Sequence, residues 1–361
     1  MLIFDGDYPM AYGALHLQRD LTRPIAEVRA TAKDPAIVAM ACLPEMRRGK
    51  IAAALVKVAQ RIERPGNPLW GQASGEAAYA AAQGDLAYYR ILAQRGEARL
   101  ILSRGDLVDH MQTWSAVTDY AALPVGFILG MEGTDPVLWP EQVHQWWEDG
   151  LRVFSLTHYG VSTYAHGTGT PGGLLPQAPD LLRAMDNLGA ILDLTHIADA
   201  AFWQAVDHFS GPLLASHQNC RALVPGERQF TDEQLQVVIG RGGVIGASMD
   251  TWMLYADGRL DWANTGDATR RSVFPREAVT LEHLADHIDH VCQLAGNAQH
   301  AAIGGDTDGQ NGVDGAPGDV DTVADYQKLA VILEQRGYSD DDIADVMHRN
   351  WQRFYERWLP T

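Results

Sequence analysis

AILDLTHIADAAFWQAVDHFSGPLLASHQN, residues 190–219, contains two short apolar runs separated by an amphipathic helical pattern. The two runs are Ala190–Leu194 and Pro212–Ala215, and the helical pattern covers Ala200–Phe209. A strand, a helix and a second strand in this order predict two parallel strands joined by a crossover helix. This segment therefore indicates an α/β protein with a parallel sheet.

The same alternation extends along the whole chain. Eight apolar runs have the character of strands: Leu2–Phe4, Ile37–Cys42, Gly126–Met131, Arg152–Leu156, Ala190–Leu194, Pro212–Ala215, Gly243–Ala247 and Ala301–Ile303. Helical patterns lie between most of these runs, and eight such strands predict a closed (β/α)₈ barrel of the TIM type. An open, doubly wound sheet is the alternative architecture for this pattern.

Two segments lie outside the repeating pattern. Residues 44–124 are rich in alanine and predict a long helical insertion after the second strand. Ser339–Trp358 predicts a C-terminal helix that Ser339 caps and Pro360 follows. No linker rich in proline or serine divides the chain, so residues 1–361 are expected to form one domain.

Composition and charge exclude several classes of protein. The chain has 361 residues, of which 46% are hydrophobic and 20% charged, as in ordinary globular proteins. Its formal net charge of −18 argues against nucleic acid or an anionic membrane as a partner. The N-terminus lacks the basic region of a signal peptide, and the three cysteines are too few and too scattered for a disulfide framework. We therefore expect a cytoplasmic protein.

Polar side chains follow the predicted strands, at the end of a barrel where reactive groups lie. Among them are Glu132, His158, His196, His217 and Asp306. A single histidine at such a position is usually structural, but three histidines and acidic residues on one rim indicate a metal site. Neutral imidazole and carboxylate are the usual ligands of catalytic zinc, which takes three protein ligands and keeps one position open.

Six short motifs follow these strands in order: Met131-Glu132-Gly133, Leu156-Thr157-His158, Asp193-Leu194-Thr195-His196, Leu214-Ala215-Ser216-His217-Gln218-Asn219, Glu227-Arg228-Gln229 with Asp232, and Ile303-Gly304-Gly305-Asp306-Thr307-Asp308-Gly309. Together they resemble the motifs of the membrane dipeptidase (renal dipeptidase) family, peptidase family M19, over nearly the whole chain. The resemblance implies a zinc-dependent dipeptidase in which Glu132 bridges two metal ions and His196 and His217 bind one of them.

The segment after the first predicted strand departs from the family pattern. The family has Asp-Gly-His-x-Asp, whose histidine and second aspartate hold the first of two metal ions, whereas this chain has Asp5-Gly6-Asp7-Tyr8-Pro9. Asp7 stands at the histidine position, and Pro9, which has no ligating side chain, stands at the second aspartate position. Three outcomes stay open: the protein uses one metal ion, rebuilds the first site with Asp7, or has lost activity.

The resemblance also implies roles in substrate binding and catalysis. A metal ion lowers the pKa of its bound water to about 7 and supplies the hydroxide that attacks the peptide carbonyl. Asp306 handles the proton, His158 polarises the carbonyl or holds the oxyanion, and Arg228 binds the free C-terminal carboxylate of the substrate. Three further aspartates are expected to support these groups through hydrogen bonds: Asp5, Asp193 and Asp308. The alternative for Asp308 is that it shares the role of Asp306.

We therefore expect a zinc-dependent dipeptidase with one or two metal ions that hydrolyses dipeptides with a free C-terminal carboxylate. One alternative is another amide hydrolase on the same barrel, acting on an N-acyl amino acid or a cyclic amide. The other alternative is a relative without catalytic activity that binds a metal ion or a peptide. The resemblance further suggests a homodimer, about which the composition says nothing.

Overall fold

The computed structural model describes residues 1–65, 67, 70–256, 275–308 and 312–361. Nine strands lie in these residues: β1 (Ile3–Tyr8), β2 (Ile51–Val58), β3 (Ala98–Leu100), β4 (Val125–Glu132), β5 (Leu151–Ser155), β6 (Ile191–Asp193), β7 (Leu213–Leu214), β8 (Ile245–Ala247) and β9 (Ala301–Ile303). All the strand pairs are parallel. The parallel pairing agrees with the crossover connections predicted from the sequence.

The strands follow one another around the sheet in chain order. One sheet has the order β1-β2-β4-β5-β6-β7, and β3 pairs with the first half of β4. The strands β8 and β9 pair with each other, and a parallel bridge between Ala215 and Ile245 connects β8 to the end of β7. On the far side, the Asp306 N–H donates to the Asp7 carbonyl oxygen at 3.1 Å. A doubly wound sheet would reverse its strand order, so the prediction of an α/β barrel is confirmed.

Helices cover the outside of the sheet. The α-helices are α1 (Ile25–Ala30), α2 (Leu43–Arg48), α3 (Gly75–Gln94), α4 (Arg104–Ser115), α5 (Val143–Glu148), α6 (Ala178–Leu188), α7 (Asp199–His208), α8 (Asp232–Gly240), α9 (Leu281–Ala295), α10 (Lys328–Gln335), α11 (Asp340–Ala344) and α12 (Asn350–Trp358). A π-turn, Asp345–Arg349, joins α11 to α12, and Ser339 caps this final helical segment by accepting from the Asp342 N–H. No helix in the described residues is both long enough and apolar enough to cross a bilayer.

The predicted second strand, Ile37–Cys42, is wrong. Residues 39–42 are fully buried, but their backbone forms no strand. Instead, the N–H groups of Met40 and Ala41 donate to Asp308 Oδ2 at 3.3 and 3.2 Å. A side chain therefore satisfies backbone groups that a neighbouring strand would otherwise bind.

The second barrel strand is β2, which lies inside the predicted helical insertion. That prediction for residues 44–124 is therefore wrong in part, because β2 and β3 alternate there with α2, α3 and α4. Alanine favours helices in isolation, but every residue of β2 is buried between β1 and β4. Small side chains suit a strand that packs on both faces, and tertiary packing here overrides the local preference.

Candidate metal centre

Three side chains from different strands converge at the carboxyl end of the barrel. Glu132 ends β4, His196 follows β6 and His217 follows β7. The Glu132 Oε1 atom lies 3.3 Å from His217 Nε2 and 3.6 Å from His196 Nε2, and the two Nε2 atoms are 3.0 Å apart. All three residues are buried. Two imidazole nitrogens and one carboxylate oxygen around a common point fit a divalent cation.

Hydrogen bonds at the outer nitrogens set the orientation of both histidines. Thr168 Oγ1 lies 3.2 Å from His196 Nδ1, and Ser216 Oγ lies 2.9 Å from His217 Nδ1. Asp7 Oδ1 also contacts His217 Nδ1, at 3.2 Å. Partners at Nδ1 fix the ring and leave Nε2 directed at the cluster, as in the histidine–carboxylate pairs of known metal sites.

A buried lysine that the sequence analysis missed lies behind this cluster. Lys57 in β2 is 1% exposed, and its Nζ lies 2.8 Å from Asp193 Oδ2, 3.0 Å from Asp7 Oδ1 and 3.1 Å from Ser216 Oγ. Burial alone would lower the pKa of Lys57, but the carboxylates of Asp193 and Asp7 raise it above its usual value. The lysine is therefore a fixed cation. Its signal in the sequence was a single charge inside an apolar run, which needs a buried partner.

Asp7 lies between this lysine and His217. Burial acts to raise the pKa of Asp7, but the nearby His217 and Lys57 outweigh it and hold the pKa below its usual value. Asp7, His217 and Asp306 form a second group whose ligand atoms lie within 4.8 Å of one another. This second group shares His217 with the first, and its Asp7 carboxylate already pairs with an ammonium group.

Asp306 combines a partly buried carboxyl group with an unusual backbone. Its Oδ2 accepts a hydrogen bond from Ser248 Oγ at 2.9 Å. Burial and the charges of Asp250 and Asp7 raise the pKa of Asp306 to about 7, against the opposing effect of His217. Its φ angle is +62°, and His196 and Asp308 have similar left-handed values of +67° and +62°. A carboxyl group with a pKa near neutrality can take up and release a proton under ordinary conditions.

His158 lies beside the cluster with one nitrogen free of partners. Its Nε2 is 3.8 Å from Glu132 Oε1, and its ring centroid is 4.1 Å from that of His196. Its Nδ1 is buried and has no hydrogen-bond partner among the described residues. Burial, followed by the charge of Arg61, lowers the pKa of His158 well below its usual value, so the ring is neutral. A neutral ring can still donate one hydrogen bond, and Nε2 is the nitrogen that faces the cluster.

The other predicted site residues have partners within the protein. Arg228 is 2% exposed, and its Nη1 and Nη2 donate to Gln218 Oε1 at 2.8 Å and to the His217 carbonyl oxygen at 3.0 Å. Asp5 Oδ1 accepts from the Asp7 N–H at 3.1 Å. Asp308 forms an ion pair with Arg19 at 2.7 Å. Gly309, the last residue of its motif, lies outside the described residues.

Comparisons with known proteins point in one direction. Residues 15–358 match the family model described as membrane dipeptidase (peptidase family M19). The chain is 31% identical over 184 residues to an uncharacterized protein from the pqqA 5′ region of Klebsiella pneumoniae, covering 51% of this chain and 60% of that protein. It is 27% identical over 243 residues to an uncharacterized dipeptidase of Schizosaccharomyces pombe, covering 66% of this chain and 54% of that protein. The chain thus spans about half the length of these relatives.

Solved structures share the fold over the full length. A metallo peptidase from Rhodobacter sphaeroides, liganded with a phosphinate mimic of the dipeptide L-Ala-D-Ala, superposes with a TM-score of 0.77 at 21% identity, covering 99% of both chains. The probable dipeptidase PvdM from Pseudomonas aeruginosa gives a TM-score of 0.75 at 19% identity and covers 99% of this chain and 96% of that one. At these identities the likeness establishes a common barrel.

Proposed function

The chain belongs to the membrane dipeptidase family, peptidase family M19, and from this we propose that it is a metal-dependent dipeptidase acting on dipeptides with a free C-terminal carboxylate. The observation that carries the proposal is the convergence of Glu132, His196 and His217, with His217 Nε2 3.3 Å from Glu132 Oε1. The dipeptide mimic bound by the Rhodobacter sphaeroides relative supports a substrate of this size. A cytoplasmic location and a homodimer stay predictions from the sequence.

We propose one zinc ion per chain, held by Glu132, His196 and His217. Two imidazoles and one carboxylate match the ligands of catalytic zinc and leave room for a water molecule or the substrate. When bound, the metal would supply a nucleophilic water and polarise the peptide carbonyl. The Lys57 ammonium, 3.0 Å from Asp7 Oδ1, provides the positive charge of a first metal ion and opposes a second cation there. Asp7 then orients His217 instead of binding metal.

The remaining residues divide the catalytic work in this proposal. Asp306, whose pKa is about 7, accepts a proton from the attacking water and returns it to the leaving amine. His158 is neutral and its Nε2 faces the cluster, 3.8 Å from Glu132 Oε1, so it donates a hydrogen bond from this nitrogen to the substrate oxygen as negative charge develops. Arg228 holds the backbone of the His217 segment and directs its remaining N–H groups to the substrate.

The metal content gives the first test of this assignment. We expect the wild-type protein, saturated with zinc and then dialysed, to retain about one ion per chain by elemental analysis, and the same sample to hydrolyse L-Ala-L-Ala. Lys57→Met should retain close to two zinc ions per chain, because the carboxylates of Asp7 and Asp193 lose their fixed cation. Mn²⁺ binding followed by electron paramagnetic resonance would separate single ions from coupled pairs.

The exposed Lys33 offers a control that removes the same charge far from these carboxylates. Lys33→Met should bind one ion, as the wild type does. Two ions in the wild-type protein would contradict the role given to Lys57. One ion without hydrolysis of any dipeptide would contradict the proposed activity but not the metal assignment.

A further inference from the structure

Arg61 lies at the rim of the metal centre and has no partner among the described residues. Arg61 follows β2. Val58, the last residue of β2, is level with Met131 in β4, so Ala59 is level with Glu132. Arg61 lies two residues beyond Ala59. Its Nε is buried without a hydrogen-bond partner, and its guanidinium group forms no hydrogen bond or ion pair with the described residues. Guanidinium has five N–H donors in a fixed plane and stays charged in proteins. Arg61 is only half-buried, so this unpaired charge is available to an anion from solution.

Electrostatic effects place the Arg61 charge close to the reacting groups. Burial lowers the pKa of Arg61, and the carboxylate of Glu132 is the largest influence that raises it. Among the charges that lower the pKa of His158, that of Arg61 is the largest and exceeds that of Arg228. The two arginines therefore approach the same histidine, and Arg61 has the stronger effect.

Two other arginines of this region have protein acceptors. Arg64, three residues further along, binds Asp135 through Nη1 at 2.8 Å and Nη2 at 3.1 Å. Asp135 also accepts from the backbone of Ile62 and Thr163, so its oxygens are already used. Both terminal nitrogens of Arg228 donate to protein oxygens. Arg61 differs from these arginines because nothing among the described residues occupies its donors.

A small cavity opens beside Arg61. Its volume is about 40 Å³, enough for a group of a few heavy atoms such as a carboxylate. The walls include Tyr12, His16, Gln60 and Trp70, and the Trp70 ring is 63% exposed and packs edge-on against His16 at 5.6 Å.

We infer that Arg61 binds a carboxylate group of the substrate in this cavity, beside the metal centre. The inference rests on the proposed dipeptidase activity and narrows its substrates. The carboxylate can be the C-terminus of the dipeptide or an acidic side chain, because the guanidinium group binds both through two parallel N–H···O bonds. Arg61 is thus a residue that selects substrates by charge.

Kinetics of Arg61→Met with matched substrates tests the inference. We expect KM to rise about tenfold or more for carboxylate substrates, with kcat changed less, because the interaction exists in both the ground state and the transition state. A loss on L-Ala-L-Ala that is absent with its C-terminal amide assigns the C-terminus. A loss confined to L-Ala-L-Asp, compared with L-Ala-L-Asn, assigns the side chain. Arg61→Lys keeps the charge without the planar donors. Its KM for carboxylate substrates should lie between that of the wild type and that of Arg61→Met.

The control for these variants is Arg95→Met, which removes the same charge from an exposed position after α3 and should leave KM unchanged. Equal losses for Arg61→Met on carboxylate and amide substrates would overturn the inference, as would no loss on any of them.

A binding measurement separates this inference from the activity itself. N-acetyl-L-aspartate contains both kinds of carboxylate, whereas N-acetyl-L-asparaginamide contains neither. By ligand-observed NMR, the wild type should bind the first at least tenfold more tightly than Arg61→Met does, and both proteins should bind the second equally weakly. This result would support the anion site even if the wild type hydrolysed no dipeptide. Equal binding of N-acetyl-L-aspartate by the two proteins would refute it.

Discussion

His217→Ala is expected to remove bound metal and hydrolysis together. His217 Nε2 lies 3.3 Å from Glu132 Oε1 and 3.0 Å from His196 Nε2, so its loss leaves two ligands where catalytic zinc takes three. Loss of even a partner behind a ligand weakens metal binding by about 10–100-fold, and loss of a ligand should exceed that. If the metal supplies about 4 kcal/mol of transition-state stabilisation, kcat/KM falls by about 10³-fold. Elemental analysis and a dipeptide assay on one sample measure both.

The control for this variant is an exposed histidine at the end of α7. His208→Ala removes an imidazole far from the cluster and should change neither metal content nor activity. Retained hydrolysis by His217→Ala would show that the metal assignment is wrong. Retained metal with lost hydrolysis would place His217 in the chemistry but not among the ligands.

Asp306→Asn is expected to lower kcat by about 10²–10⁴-fold while the bound metal stays in place. The amide keeps the size of the carboxyl group and can still accept from Ser248 Oγ, but it cannot take up a proton. The pKa of Asp306 is raised to about 7, and a general base acts in its ionised form. Wild-type kcat/KM should therefore rise as the pH increases through about 7, and the variant should lose this dependence.

Asp308 provides a matched control two residues away. Its carboxylate pairs with Arg19 and accepts from the backbone of Met40 and Ala41. Asp308→Asn should therefore lower the melting temperature but keep the rise of kcat/KM near pH 7. An equal loss of kcat in the two variants, with the same change in the pH profile, would instead indicate that the two aspartates share the proton.

The polar strand ends could be predicted because parallel strands bring their carboxyl ends to one edge of the sheet. The sequence placed Glu132, His196 and His217 at three such ends, and the structure brings their ligand atoms within 4.8 Å of one another. No knowledge of side-chain packing was needed for that step. The catalytic and binding roles given to these residues stay predictions.

The second strand could not be found in the same way, because its composition favours a helix. Ala52–Ala54 would suit a helix, and only the neighbours β1 and β4 determine that they form a strand. The apolar segment Ile37–Cys42 has the pattern of a strand but binds Asp308, which is distant in the chain. Since Lys57 was assigned to a helix, its contact with Asp7 and Asp193 could not be anticipated.

Arg61 was missed for a different reason. Its importance comes from the absence of a partner in the described residues, and a sequence does not record which arginines find an acceptor. Arg64 lies three residues away and carries the same side chain, yet it binds Asp135. Only the folded arrangement distinguishes the two.

The left-handed backbone at His196 and Asp306 sets stability against activity. Such a conformation in a residue other than glycine costs about 1–3 kcal/mol. Glycine or asparagine at these positions would relieve part of that cost, so a search for thermostable variants that scores folding alone would select them. The same substitutions would delete an imidazole of the metal cluster or the carboxyl group with a pKa near 7. Directed evolution of this barrel therefore needs an activity screen in every round, because these two stabilising changes lie where the chemistry does.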